Sequence, residues 1–378
     1  MRNTRIKNGN IPIKLIDTPE QLNELVKHLG AFDELAFDTE FDKFYRQYGF
    51  NLLLIQIFDG HTCFLVDTVT IKSLEPLWAI FENKAICKLV FSGREDVDLL
   101  KRNGCTPQNI FDVQIAAVLC NKTDLSYSGL IKTEFGMEID KVPQTSNWQN
   151  RPLQLSQLIY ASNDVIHLFR LKELFMHSIR KNGVSGIMHE ENLALEASTT
   201  KDYSPKLSGK QMKLFSTYSR RKLMEFKILI DMFGQQFNLP PYNIAGDTVL
   251  EEIIKDREPF LKDPFAKGFN RMAIENEKFR TAFSELVDSI DGNIPWENEK
   301  GRTVFPENFR EAKKVQLKNG DSGLLPFRAF IIGKYGEIAS TVILGGLSKR
   351  MVGNVINWEG TKGYQKKLYD EFFNREII

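Results

Sequence analysis

Segments with a strand pattern alternate with segments of helical pattern along the first 180 residues, and this alternation limits the possible folds more than any other feature. The strand patterns are residues 35–41, 52–58, 62–67 and 86–91, and the helix patterns are residues 74–81, 95–102, 111–119 and 155–178. Asp59-Gly60 is typical of a hairpin turn, so the strands on either side of it run antiparallel. The sequence therefore predicts an α/β domain with helices packed on a mixed sheet.

The composition is that of a globular protein with a sizeable core. Of 378 residues, 42% are hydrophobic and 26% are charged, which excludes disordered and fibrous classes and allows two or three domains. No apolar run is long enough to span a membrane, and the N-terminus lacks the apolar segment of a secretory signal. The four cysteines form no C-x-x-C pair, which argues against a zinc site and a disulfide framework. We expect a reducing, cytoplasmic location and no membrane partner.

Two acidic residues interrupt the first strand pattern, LAFDTEF. In an extended strand Asp38 and Glu40 point to the same face, because successive side chains alternate between faces. Ionising two neighbouring carboxylates costs free energy unless a cation lies between them, and burial raises that cost. Two explanations follow: this is an edge strand with its polar face in water, or the carboxylates bind a cation.

Further acidic residues and a phenol lie in segments that an α/β fold can bring to the same place. Asp96 follows directly on a strand pattern, where loops of α/β sheets carry functional groups. Tyr160 and Asp164 are one turn apart on a helix with a largely apolar stripe, so Asp164 is a buried carboxylate that needs a partner. These side chains, together with Asp38 and Glu40, can converge above one end of the sheet.

Four successive segments, FDTEF, SGREDVDLL, FDVQIAA and NWQNRPLQLSQLIYASNDVIHL, resemble the motifs of the ribonuclease D branch of the DEDD 3′–5′ exonucleases. The resemblance covers about residues 12–180 and implies a ribonuclease H-like exonuclease domain. It implies metal ligation by Asp38, Glu40 and Asp164, with Asp96 completing the set through a second metal or its waters. Tyr160 matches the tyrosine of the DEDDy subclass.

The resemblance has two departures, which put substrate contacts or rate in doubt more than chemistry. Phe91 stands where members often have histidine, and Asn147 stands where many have aspartate.

The chemistry of phosphodiester hydrolysis agrees with this set of residues. Two divalent ions about 3.5–4 Å apart can activate water and stabilise the leaving oxygen. Oxygen ligands suit Mg²⁺ or Mn²⁺, and the lack of cysteine and histidine in the set argues against zinc. A phenol with an ordinary pKa of about 10 is a poor base, so we expect Tyr160 to orient the attacking water.

Other polar residues near these motifs have structural interpretations. We expect Asp112 to cap a helix, Glu95 and Asp98 to lie on a solvated helix face and His167 to lie on a helix surface. Trp148 is expected to pack rather than to stack on a base. Gln56 has two open interpretations, a satisfied core amide or a contact to the terminal sugar of the substrate.

The rear half resembles helical nucleic-acid-binding modules. Residues 210–259 resemble the HRDC domain (helicase and RNase D C-terminal). The tandem arrangement of the family suggests a diverged second copy at residues 303–378, although PFRAFIIGKYGEIA reads almost as well as strand. The net charge is −4 for residues 1–200, +2 for 201–290 and +6 for 300–378, which fits a rear half that binds a polyanion. The candidate phosphate contacts, which are otherwise a solvated helix face, are Lys210, Lys213, Arg220, Arg221, Lys222 and Lys227.

The sequence thus predicts an exonuclease domain at residues 1–200, an HRDC-like domain at 205–290, and a C-terminal domain at 295–378 that is a candidate second HRDC. The predicted function is a 3′–5′ exoribonuclease that uses two Mg²⁺ or Mn²⁺ ions, with RNA favoured over DNA, in the maturation of tRNA or other stable RNA. The alternatives are a DNA exonuclease of the same fold and a non-catalytic nucleic-acid-binding protein. No protein partner is indicated.

Overall fold

A computed structural model describes residues 6–140, 142–265, 268–298, 324–347, 351–352, 355–356 and 358–376. The described residues form two compact units. The α/β unit contains residues 6–41, 52–200 and the described residues from 324 onward, and the helical unit contains residues 42–51 and 201–298.

A mixed sheet forms the centre of the α/β unit, as the sequence predicts, and it contains seven strands where the sequence predicts four. The strands are β1 (Ile6–Asn8), β2 (Ile11–Ile16), β3 (Glu34–Lys43), β4 (Phe50–Phe58), β5 (Cys63–Val66), β6 (Cys87–Val90) and β7 (Ile110–Asp112). Their order in the sheet is β1-β2-β5-β4-β3-β6-β7. The pairs β2–β5, β3–β6 and β6–β7 are parallel, whereas β1–β2 and β4–β5 are antiparallel. The predicted Asp59-Gly60 turn joins β4 to β5, with Gly60 at a φ of 92°.

The described residues before residue 200 include eight α-helices of the α/β unit. They are α1 (Pro19–Leu29), α2 (Glu75–Glu82), α3 (Arg94–Arg102), α4 (Val113–Leu119), α5 (Tyr127–Phe135), α6 (Leu155–Ile166), α7 (Leu168–Lys181) and α8 (Ser185–Glu196). Two predicted helices differ from the structure. The segment 155–178 is broken at His167, and the segment 111–119 begins as strand β7, which ends where the Asp112 carboxylate accepts the Gln114 N–H and starts α4.

The side chains of β3 alternate between the two faces of the sheet, and each face packs into a different hydrophobic cluster. Leu35 and Phe37 belong to one hydrophobic cluster, formed largely with α1 and α2, and Ala36 belongs to the other, formed with α4, α6 and α7. Asp38 and Glu40 share the face of Ala36 because they follow it at intervals of two residues. The two carboxylates therefore lie on the face of the sheet that α6 covers.

The helical unit has its own core. Its helices are α9 (Gly209–Leu214), α10 (Thr217–Phe237), α11 (Pro241–Ile244), α12 (Asp247–Lys255), α13 (Glu258–Lys262), α14 (Arg271–Glu275) and α15 (Glu277–Asp288). Aromatic rings such as Phe226, Phe279 and Phe283 fill the space between them. Helix α10 ends at Asn238, which adopts a left-handed conformation just before Pro240 and Pro241. The HRDC identity of this unit stays a prediction.

The described C-terminal residues pack into the α/β unit. Residues 324–335 form α16, followed by α17 (Glu337–Ile343), the paired strands β8 (Met351–Val352) and β9 (Val355–Ile356), and α18 (Gly363–Glu376). The segment PFRAFIIGKYGEIA is thus helical, and its alternative reading as a strand is wrong. Phe327 and Ile331, one turn apart, are fully buried in the cluster that also contains α4 and α7.

The α4 end of this contact is polar. The side-chain amide of Asn121 donates to the Tyr335 carbonyl at 2.6 Å and accepts the Ala339 N–H at 3.1 Å. The assignment of residues 295–378 as a second HRDC domain stays a prediction.

No helix among the described residues combines the length and the apolar character that crossing a bilayer requires.

Candidate active site

Three carboxylates converge between β3 and α6. Asp38 and Glu40 come from β3 and Asp164 comes from α6, and each offers an oxygen that lies within 4.8 Å of the other two. All three side chains are half-buried. The residues that the sequence selects from two distant segments are therefore brought together by the fold.

Asp96 lies beside this group, in the first turn of α3. It is 6% exposed, and its carboxylate accepts a hydrogen bond of 2.5 Å from the Thr39 hydroxyl. Thr39 stands between Asp38 and Glu40 in the sequence, so one hydrogen bond links Asp96 to the strand that carries the other carboxylates. Asp96 is not part of the compact trio, which agrees with the less direct role that the family resemblance implies for it.

The electrostatics of the site are those of crowded, uncompensated carboxylates. Burial, followed by the charges of Asp96, Asp164 and Glu40, raises the pKa of Asp38 well above its usual range. Burial chiefly raises the pKa of Asp96 to about 6 and that of Asp164 to about 7. The pKa of Glu40 is raised by burial and by Asp164 and Asp96. Since the charged groups that raise the pKa of Asp38 among the described residues are carboxylates, a bound cation would relieve the repulsion.

The donor set fits a hard divalent cation. It consists of carboxylate oxygens from β3 and α6 that are close enough together to bind one ion. The group contains no sulfur or imidazole ligand. Such sets suit Mg²⁺ and Mn²⁺.

Tyr160 lies one helical turn before Asp164 and is 9% exposed. Its hydroxyl donates a hydrogen bond to the Asp164 carboxylate. This hydrogen bond lowers the pKa of Asp164, whereas burial raises it by a larger amount. Burial and the neighbouring carboxylates raise the pKa of Tyr160 above its usual range. The phenol therefore stays protonated and acts as a hydrogen-bond donor at the site.

Asp112 caps α4, as expected, and has a second role that sequence reasoning missed. Its carboxylate accepts the N–H groups of Ser92 at 2.9 Å and Gly93 at 3.0 Å in addition to that of Gln114 at 2.9 Å. The turn that it holds precedes Asp96 by three residues, and Ser92 in it has a φ of 57°. The pairing of β7 with β6 is what brings Asp112 to this turn.

Gln56 lies in the core next to the trio. It is 0% exposed, and its amide nitrogen is 3.5 Å from the Glu40 carboxylate, while its amide oxygen has no partner among the described residues. Gln56 therefore lies on the buried side of Glu40, away from solvent. Trp148 packs, as expected: it is 4% exposed, with its ring 6.1 Å from that of Tyr160.

Two surface expectations near the site are wrong. Asp98 is 1% exposed and pairs with Arg102 at 3.3 Å, on a helix that also packs against α8. His167 is 7% exposed, because it occupies the break between α6 and α7 instead of the outside of one long helix.

The basic residues proposed to contact phosphate are only partly available. Lys210 and Lys213 on α9 are exposed. Arg221 and Lys222 both pair with Glu225, at 3.1 Å and 3.0 Å. Lys227 pairs with Asp247 at 2.7 Å. The Nε atom of Arg220 is buried. Internal carboxylates thus neutralise part of this helix face.

Comparison with known proteins agrees with the geometry. The family model described as 3′–5′ exonuclease matches residues 13–180. The ribonuclease D of Desulfotalea psychrophila is 28% identical over 368 residues, 95% of this chain and 97% of that protein. Residues 13–180 thus match a 3′–5′ exonuclease domain and are similar to ribonuclease D. The predicted enzyme class, a 3′–5′ exonuclease, is confirmed.

Two further relatives define the extent of the similarity. The ribonuclease D of Shewanella sp. is 38% identical over 172 residues, and the matched segment spans 45% of this chain and 44% of that protein. The crystal structure of Escherichia coli RNase D has a TM-score of 0.70 and covers 96% of this chain and 98% of that one, at 20% identity. The fold of the exonuclease domain and of the helical region behind it is therefore shared with that protein.

Proposed function

We propose that the protein is a metal-dependent 3′–5′ exoribonuclease that releases nucleotides from the 3′ ends of RNA. The observation that carries the proposal is the convergence of Asp38, Glu40 and Asp164, with Asp96 and Tyr160 beside them, inside a 3′–5′ exonuclease domain. The choice of RNA is supported by the relatives, which are named ribonuclease D. The structural neighbour from E. coli is described as an exoribonuclease involved in structured RNA processing.

The metal ligands in this proposal are Asp38, Glu40 and Asp164, with Asp96 completing the set for a second ion. Bound Mg²⁺ or Mn²⁺ supplies positive charge to the attacked phosphate and to the leaving oxygen. Thr39 and Gln56 hold the carboxylates of Asp96 and Glu40 in place through their hydrogen bonds. The Tyr160 hydroxyl, held in place one turn from Asp164, orients the attacking water as its hydrogen-bond partner.

Finer assignments belong to the same proposal. Tyr160 in the last motif supports the DEDDy subclass, and the helical unit is proposed to be HRDC-like. We propose maturation of tRNA or other stable RNA as the cellular role. A cytoplasmic location is supported by four free cysteines, which suit a reducing compartment: Cys63, Cys87, Cys105 and Cys120.

The test uses RNA and DNA of equal sequence, labelled at the 5′ end and incubated with Mg²⁺, Mn²⁺ or a chelator. We expect RNA to shorten from its 3′ end only when metal is present, with Asp38→Ala as the inactive control. Faster shortening of DNA than of RNA would support a DNA exonuclease instead. Binding without any cleavage in either metal would leave only the non-catalytic alternative.

A further inference from the structure

The loop between β3 and β4 has a defined conformation. We call residues 44–49 the hairpin tip. The buried carboxylate of Asp42 accepts the N–H groups of Tyr45 at 2.8 Å and Arg46 at 2.9 Å. The Phe44 N–H donates to the Gly49 carbonyl at 2.8 Å, where Gly49 has a φ of 94°. Hydrogen bonds within the loop therefore hold the tip in one shape.

The hairpin tip presents an aromatic ring and a cation to solvent. Tyr45 is 66% exposed, and the Arg46 guanidinium lies 5.1 Å from the centroid of its ring. Arg46 is exposed and forms no ion pair with the residues that the structure describes. The hydroxyl of Tyr242, itself 52% exposed, donates to the Tyr45 carbonyl at 2.8 Å. Tyr45 thus exposes a large aromatic ring on a backbone segment that hydrogen bonds hold in place.

A cavity of about 440 Å³ adjoins the tip within the helical unit. Its walls include the rings of Phe44, Tyr203 and Tyr242, and charged groups such as Lys206 and Asp231. The Lys43 ammonium lies 5.6 Å from the centroid of the Tyr203 ring. The volume is within the range of small-molecule sites, about 300–1,000 Å³. Aromatic walls with polar groups between them suit a nucleotide, which has an apolar base face and polar edges.

We infer that the hairpin tip and this cavity bind single-stranded RNA, with one base stacked on Tyr45, its phosphate near Arg46 and a neighbouring nucleotide in the cavity. The inference rests on the proposed function, since it names a contact for the same substrate. Aromatic rings combined with cations are the usual means of holding single strands, because every base has a π-face and every linkage carries a negative charge. Such contacts tolerate any sequence, which an enzyme that shortens RNA one nucleotide at a time requires.

The first experiment measures binding of a fluorescent 12-nucleotide RNA to the full chain by anisotropy, in chelator so that no cleavage occurs. Tyr45→Ala should weaken binding by about 5- to 150-fold, the fold-change that corresponds to loss of one stacked base. Tyr45→Trp should keep or improve affinity because it keeps the stacking surface. Met272→Ala, which removes a 51% exposed apolar side chain on α14, is the matched control and should bind as the wild type does.

The second experiment locates the stacked base. Single abasic sites are placed at successive positions of the RNA, and we expect affinity for the wild type to fall at one position. Tyr45→Ala should be insensitive to the abasic site at that position, because the same contact is already lost. Equal affinity of the wild type and Tyr45→Ala, or an abasic effect that persists in Tyr45→Ala, would overturn the inference and favour a protein ligand for this surface.

Adding Mn²⁺ to the same wild-type samples separates the two proposals. Cleavage together with equal affinities would remove the stacking site and leave the exoribonuclease. The absence of cleavage together with a loss of affinity in Tyr45→Ala would remove the proposed function and leave an RNA-binding site.

Discussion

At the scale of single residues, the chemistry of this protein follows from a group of carboxylates that repel one another. Burial raises the pKa of Asp38, Glu40, Asp96 and Asp164, and the charges of neighbouring carboxylates, that of Asp112 in the case of Asp96, raise it further. A fold that holds such a group without a neutralising cation is destabilised by it, and the same repulsion becomes a source of metal affinity.

We predict that Asp38→Ala abolishes metal-dependent cleavage of RNA and leaves the fold intact. The substitution removes a shared ligand, and it also relieves the repulsion acting on Glu40 and Asp164. The measurements are turnover with labelled RNA and the thermal unfolding midpoint without metal, which should be unchanged or higher than that of the wild type. Asp17→Asn, at an exposed position outside the site, is the control. Wild-type turnover in Asp38→Ala would rule out this assignment of the site.

Tyr160→Phe should lower turnover by about 10²–10⁴-fold while metal binding is largely kept. The substitution keeps the packing of the ring and deletes only the hydroxyl that bonds Asp164. Tyr364→Phe is a matched control, because that hydroxyl bonds Glu191 at 2.5 Å and lies on α18. We expect the control to lower stability and to leave turnover unchanged. If Tyr160→Phe were as active as the wild type, Tyr160 would have only a packing role.

Metal binding should depend on pH in the range where the site carboxylates titrate. Because the pKa of Asp96 is about 6 and that of Asp164 about 7, both groups retain protons near pH 6 that a metal ion must displace. We expect Mn²⁺ to raise the thermal unfolding midpoint more at pH 8 than at pH 6. Asp38→Ala should show little rise at either pH. An equal rise at both values would mean that these carboxylates do not bind the ion.

At the scale of elements, the turn between β6 and α3 determines where Asp96 lies. Gly93 approaches Val90 so closely that a Cβ atom at this position would lie 2.5 Å from the Cγ1 atom of Val90. The turn has no side-chain cap of its own at the start of α3. Its N–H groups are satisfied instead by Asp112, from the neighbouring strand.

Asp112→Asn should therefore lower both stability and turnover. An amide offers one acceptor oxygen where the carboxylate accepts three N–H groups, so we expect a loss of about 1–3 kcal/mol in unfolding free energy. Ser126→Ala removes another N-cap, that of α5, and should cost about 0.5–2 kcal/mol without a matching loss of turnover. Urea unfolding and steady-state kinetics on both variants make the comparison. Equal turnover in the two would show that Asp112 is only a cap.

At the scale of the whole molecule, the C-terminal helices and the exonuclease domain share a core. Phe327 is fully buried in the same cluster as residues of α4 and α7, and Tyr364 bonds Glu191 on α8. Residues far apart in the chain therefore share one core, and we expect the stability of the exonuclease domain to depend on the C-terminal helices.

Phe327→Ala should destabilise the α/β unit by about 3–5 kcal/mol, since it leaves a cavity in a packed core. Leu325→Ala, at a 55% exposed position on the same helix, should change stability by less than about 0.5 kcal/mol. Residual exonuclease activity in increasing urea reports on the α/β unit directly. The activity of Phe327→Ala should be lost at a lower urea concentration than that of Leu325→Ala. Equal midpoints would mean that the C-terminal helices do not support the exonuclease domain.

The sequence by itself determined what depends on short-range pattern. Period-two alternation and the Asp59-Gly60 turn located β3, β4 and β5, because strand propensity and hairpin geometry are local. The candidate metal ligands could be predicted from local pattern too, because Asp38 and Glu40 share a strand face and Asp164 interrupts an apolar helix. Their convergence followed from the rule that functional groups gather at strand ends of α/β sheets.

Only the tertiary structure decided which polar residues are buried, because this depends on which elements pack against each other. Asp98 and His167 look solvated in sequence, but Asp98 is buried in the tertiary structure and the break after α6 buries His167. The helical segment that begins near residue 324 reads almost equally as strand, and burial of Phe327 against distant residues settles it as helix. Burial is a property of contacts between residues far apart in the chain, so no local pattern contains it. For the same reason the hydrogen bonds of Asp112 to the turn before Asp96 became visible only once β6 and β7 were paired.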